Sequence, residues 1–158
     1  MTRSCAAWPV RLVPGLAEHV PELAQRMRAI DRRECEAMGH SAQSALRHGL
    51  ATGARTWTAM IGGDVHAMFG VVVAPSADSE GIPWFLGSDE VARHARLLIA
   101  QGPAILAEMH GHARSLRNFV SAENRQAIRL LEHWGFTVEP ALVVMRSVVF
   151  HRFIRETN

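Results

Sequence analysis

The chain has 158 residues, 48% of them hydrophobic and 20% charged, which suits one domain with its own core and excludes wholesale disorder. Seventeen basic against fifteen acidic residues leave a net charge of +2, too weak a field to argue for a nucleic-acid partner. Every basic residue is Arg, so lysine Schiff-base or general-base chemistry is excluded, and the absence of Tyr removes any phenolic acid.

In chain order, Trp8 to Val13 (WPVRLV) alternates as a strand does, and Pro14-Gly15 ends it. Pro21 suits the first turn of a helix. Leu23, Met27, Ile30 and Met38 recur at helical spacing, which predicts one helix running to Gly39. Ser41 is an N-cap for a short helix through AQSALRHGL. The runs TWTAMI and VHAMFGVVV, joined by Gly62-Gly63-Asp64, predict an antiparallel hairpin whose second, almost wholly apolar run is central in the sheet. A polar loop, APSADSEG, leads to the short strand IPWFLG. Ser88 then caps SDEVARHARLLIAQ, with acids in the first turn, and Gly102-Pro103 predicts a break before PAILAEMHGH. LRNFV reads as a strand, NRQAIRLLEHWGF as a helix, and ALVVM and VVFHRFI as closing strands. This order implies a single α/β (α+β) domain over 1–158, with one mixed, mostly antiparallel central sheet and helices on both faces.

Two cysteines, Cys5 and Cys35, follow no pairing pattern and read as free structural thiols of a reducing interior. No apolar run reaches the length of a membrane span and the N-terminus lacks a signal-peptide core, so the expectation is a protein that stays inside the cell or is packaged there.

Between Asn124 and Phe136 the signals agree. Asn124 caps a helix, Ala127, Ile128, Leu131 and Trp134 share one face, Gly135 takes the left-handed position after the last turn, and Phe136 folds back onto the helix. Asn124, Ala127, Leu130, Gly135 and Phe136 together resemble the Asn-x-x-Ala-x-x-Leu-Tyr-x-x-x-Gly-Phe segment of the GCN5-related N-acetyltransferases. In that family the helix lies beside the pantetheine arm of acetyl-CoA, and its Tyr often protonates the departing thiolate. Leu131 stands at the Tyr position and can donate no proton. The family's cofactor loop, Arg/Gln-x-x-Gly-x-Gly/Ala, offers backbone N–H groups to a pyrophosphate after the fourth strand. Here IPWFLG runs into SDEVARHARLL without a glycine pair. Asp89 and Glu90 put negative charge where phosphates would dock, opposing them by roughly a few kcal/mol at a moderate effective dielectric.

A narrower resemblance covers roughly residues 30 to 153. PWFLGSDEV, LRNFVSAENRQAIRLLEHWGF and FHRF, with IDRRECEAMG and AMFGV upstream, are similar to a phage-encoded family on this scaffold, the internal virion protein A type of short-tailed phages. That resemblance implies a virion or virion-assembly protein that acts through contacts with phage structural or assembly proteins, in the host cytoplasm or the particle, with no cofactor, nucleic acid or membrane. The alternative is an acetyl-CoA-dependent N-acetyltransferase with an atypical loop. Asp31 or Glu34 would then activate an amine through water, and Phe85, Leu86, Ser88, Asn124 and Leu131 would line the cofactor. An acyl-CoA-binding module without turnover lies between these readings.

Other signals have plainer explanations. His110 and His112 on a helix point to different sides and, even with His133, do not converge as metal ligands. Ser88, Asp89 and His94 supply the residue types of a triad but read as an N-cap with dipole-matched acids. Trp57, Phe69, Trp84, Phe85 and Trp134 read as core aromatics, with Trp84 able to line a groove where central strands part. Asp31 and Glu34, flanking Arg32 and Arg33, read as a solvated charged face. A ligand or partner surface is expected there and across Trp84, Ser88, Asp89, Glu90 and His94.

Overall fold

Residues 10–73, 75 and 79–157 are described by the structure, a computed structural model. The elements run β1 (Val10–Pro14), α1 (His19–Arg26), α2 (Ala29–Ala37), α3 (Ala42–Thr52), β2 (Gly53–Ile61), β3 (Asp64–Val73), β4 (Glu80–Gly87), α4 (Asp89–Ala92), α5 (Ala95–His110), β5 (Ser115–Ser121), α6 (Arg125–His133), β6 (Thr137–Met145) and β7 (Val148–Glu156). The strands form one sheet in the order β1-β2-β3-β4-β5-β7-β6. Every neighbouring pair is antiparallel except β4 with β5. The expected mixed sheet with helices on both faces is present.

Alternation along the strands sorts the core into two layers. On one face Val20, Leu23 and Leu46 of α1 and α3 pack on Met68 and Leu86. On the other, Leu98, Ile105, Leu106 and Met109 of α5 cover Phe69, Val71, Leu116, Val120 and Phe153. The hairpin β2–β3 turns at Gly62 and Gly63, both at positive φ, as their place between two apolar runs predicts. Ser41 and Ser88 accept from the N–H groups of Ser44 and Val91, so both expected N-caps are made.

Three expectations need correction. The single helix expected as far as Gly39 is two, because Met27 leaves the helical path to bridge Ser88 and Arg28 N–H donates to the Gly87 carbonyl at the end of β4. The break expected at Gly102-Pro103 falls instead at Arg93-His94, and α5 continues through Pro103. Leu98, Ile105, Leu106 and Met109, all buried, hold α5 to the sheet on both sides of the proline and outweigh its cost of about 3 kcal/mol. Asp31 is no part of a solvated face, being 3% exposed. Trp8 of the first expected strand, Cys5 and most of the loop before β4 lie outside the described residues.

Candidate functional site

The site begins with a failure of pairing. β4 and β5 are joined as a parallel pair only at Glu80 with Ser115 and Gly81 with Leu116. Pro83 has no N–H to offer a ladder, and the Asn118 side chain donates instead to the Pro83 carbonyl at 2.8 Å. Beyond that staple a cleft of about 320 Å³ opens between the strands. Asp31, Glu34 and Cys35 of α2 line it from one face of the sheet, Leu131 and Trp134 of α6 from the other, so the cleft passes through the sheet.

Two carboxylates close its wide end. Asp31 Oδ2 accepts from Gly87 N–H at 2.9 Å, finishing β4. Glu34 Oε1 accepts from Ser121 N–H at 3.0 Å and from Asn124 Nδ2 at 3.1 Å, finishing β5. Their three-residue spacing on α2 points both acids the same way, and the Met27–Ser88 bridge sets α2 against the strand ends. Asn124 works in two directions, since its Oδ1 also accepts the Ala127 N–H as the cap of α6. Arg28 joins the group, with Nη1 3.7 Å from Asp31 Oδ1 and Nη2 donating to Asn124 Oδ1 at 3.4 Å.

Burial dominates the titration of these acids. Loss of water pushes the Asp31 carboxyl up to about 6, against the pull of the Gly87 N–H and Arg28. The same loss pushes Glu34 up to about 7, beyond what the Asn124 and Ser121 hydrogen bonds restore. Cys35, buried beside both acids, is pushed up to about 12 and stays a thiol. A carboxyl poised near neutrality in a cleft has the properties of a general base.

Two indoles form the apolar walls. Trp84 lies on Gly49 of α3, where a Cβ would come within 2.6 Å of its Cζ2. Trp134 lies on Gly102 of α5, where a Cβ would collide with its Nε1. Ala127, Ile128, Leu131 and Trp134 do share one face of α6, yet all remain only half-buried, and Ala127, Leu131 and Trp134 line the cleft. Trp57 and Phe69 are stacked core aromatics as expected.

The loop after β4 is turned inward. Gly87 N–H goes to Asp31, Ser88 N–H to the His66 carbonyl and Val91 N–H to Ser88 Oγ. Ser88 is 3% exposed, and its hydroxyl partner is His66 Nδ1 at 2.7 Å, with no bond to His94. Burial lowers the pKa of His66, which favours the neutral ring. Asp89 is exposed, while Glu90 pairs with Arg93 at 3.0 Å and approaches His94 at 3.7 Å.

The cleft therefore gathers Asp31, Glu34, Trp84, Phe85, Leu86, Asn124 and Leu131 from the sequence candidates. Ser88, Asp89, Glu90 and His94 stand outside its lining, on the adjoining loop. Arg28, Asn118 and Trp134 belong to it and were not singled out. Pro83 was the available signal for Asn118, since a proline in a central strand demands a substitute partner.

No family model matches the chain, and no curated protein matches it in sequence. Its fold has many counterparts among solved structures. An acetyltransferase of the GNAT family from Streptococcus pneumoniae superposes with a TM-score of 0.64 at 13% identity, covering 95% of this chain and 100% of that one. The ribosomal-protein-S18-alanine N-acetyltransferase from Escherichia coli gives 0.67 at 14%, covering 94% of each. The aminoglycoside acetyltransferase AAC(6')-Ib, solved with coenzyme A, gives 0.60 at 16%, covering 94% and 95%. The chain has the fold of the GCN5-related N-acetyltransferases.

Proposed function

We propose that the chain transfers an acyl group from a thioester to an amine, with Glu34 as the proton acceptor. The observation that carries this reading is Glu34 itself, poised near 7 at the wide end of a cleft that runs through the sheet. The open edges of β4 and β5 beyond Gly81 and Leu116 suit an extended arm that carries amide groups. In the reaction the amine nitrogen attacks the thioester carbonyl, the C–N bond forms, and the ammonium proton passes to Glu34, directly or through one water. The C–S bond then breaks with its electron pair on sulfur. With Leu131 in place of a phenol and the Cys35 thiol too weak an acid, Glu34 returns its proton to the thiolate. The products are an amide and a free thiol, and Glu34 is regenerated.

The test is thiol release from acetyl-CoA and from S-acetyl-pantetheine with a panel of primary amines. Amine-dependent release that falls at least about 100-fold in Glu34→Gln is expected. No amine-dependent release from either donor overturns the reading.

Leu131 and the inward-turned loop speak against turnover and leave room for a second reading. Here the scaffold has no turnover and no cofactor and serves phage particle assembly through protein contacts. Its surface would be the exposed loop at Asp89 and Glu90, beside Trp84 and His94, with buried Ser88 holding the loop in place. Absence of thioester binding together with co-assembly into particles would support it.

A further inference from the structure

The cleft and the loop beside it make different demands on a donor. A coenzyme A thioester is a pantetheine arm joined to a nucleotide through a diphosphate, and a diphosphate needs accessible backbone N–H groups or cations. At the end of β4 three of those groups are spent, and the two left in the first turn of α4 belong to the acids Asp89 and Glu90. The N–H groups of Gly87, Ser88 and Val91 all donate within the protein. The surface of Gly87 is also filled, because a Cβ there would lie 2.7 Å from Val91 Cγ1 and 3.2 Å from Phe85 Cε1. The next two residues, Asp89 and Glu90, carry carboxylates. Their neighbour Arg93 is already paired with Glu90. The cleft itself, about 320 Å³, stands at the bottom of the roughly 300–1,000 Å³ range of small-molecule sites, room for an arm rather than a nucleotide.

We infer that the donor is recognised through its pantetheine arm alone, and that the nucleotide of coenzyme A contributes no binding. This rests on the acyl-transfer reading above and narrows its substrate to pantetheine thioesters, whether a free small thiol or the arm of a carrier protein.

Calorimetric titration of the whole chain with S-acetyl-pantetheine and with acetyl-CoA tests it. Equal affinities, or weaker binding of acetyl-CoA, are expected. Binding of acetyl-CoA at least tenfold tighter than S-acetyl-pantetheine overturns the inference and leaves acyl transfer standing. Failure of both donors to bind overturns both. The double variant Asp89→Asn, Glu90→Gln should tighten acetyl-CoA several-fold and leave S-acetyl-pantetheine unchanged. An equal change for both donors contradicts the role given to the loop. Relative kcat/KM on an acetylated holo-carrier protein and on S-acetyl-pantetheine separates the two sources. A tenfold preference for the carrier assigns the protein-borne arm, and parity assigns the free thiol.

Discussion

The burial that would suit Glu34 to the proposed proton transfer costs stability, at Glu34 and at Asp31 alike. Each is harder to ionise in the fold than in the unfolded chain, so the unfolded state releases its proton first and stability falls as pH rises. The contribution is complete below the ordinary values of 3.8 and 4.5, and it is lost as pH passes about 6 for Asp31 and about 7 for Glu34. At 1.36 kcal/mol per pKa unit, Glu34 alone accounts for roughly 3–4 kcal/mol across that window. Glu34→Gln should therefore unfold at a higher temperature than the parent at pH 8, with little difference at pH 4, while losing acyl transfer. Thermal unfolding of both proteins at the two pH values checks this, and an unchanged difference between them would remove the burial argument. Both acids entered the sequence candidates through the family resemblance, and nothing in their local pattern marked them as buried site residues. With Arg32 and Arg33 between them they resemble any solvated helix face, and the strand ends that bury them lie 56 and 87 residues away. Asn124 was legible, because an N-cap announces itself within four residues, but its second bond to Glu34 spans 90.

The same division between local and distant causes holds for the elements. α6, β2 and β3 were readable because caps, turn glycines and apolar periodicity are local signals. The end of α1 was not, because Met27 is drawn out of the helix by Ser88, a partner 61 positions away in the chain. At α5 the local signal misled. Gly102 reads as a breaker, yet in the fold it is the seat of the Trp134 indole. Gly102→Ala tests that seat through a competition of magnitudes. Helix propensity favours Ala by about 1 kcal/mol, while forcing a methyl against a packed indole costs about 1–3 kcal/mol. The single substitution should destabilise the parent. In a Trp134→Ala background, where the collision is gone, the same substitution should stabilise by about 1 kcal/mol, and a double-mutant cycle of denaturant midpoints reads the reversal of sign. The same sign in both backgrounds would show that the indole does not depend on Gly102.

Across the whole molecule, the sheet is two antiparallel blocks, β1 to β4 and β5 to β7, joined by two parallel residue pairs, the Asn118 side chain and the acids of α2. A joint with so few backbone bonds is where opening should need least energy. Asn118→Ala removes one of its bonds and leaves the Pro83 carbonyl without that partner, so it should cost about 1 kcal/mol in denaturant unfolding. Its larger effect should be local. Amides of Trp84–Leu86 and Phe119–Val120 should exchange with solvent faster in the variant, while those of the β2–β3 hairpin stay at the parent rate. An arm threaded through the cleft would span the same joint and supply the missing ladder from its own amides. Saturating S-acetyl-pantetheine should therefore slow exchange in Trp84–Leu86 and Phe119–Val120 together, on both sides of the gap. Protection confined to Asp89–Val91 would mean that a donor is held by the loop from outside, and the cleft would lose its part in the reaction. Protection of both strands, in the parent and more weakly in Asn118→Ala, would make the donor the missing link between the two blocks of the sheet.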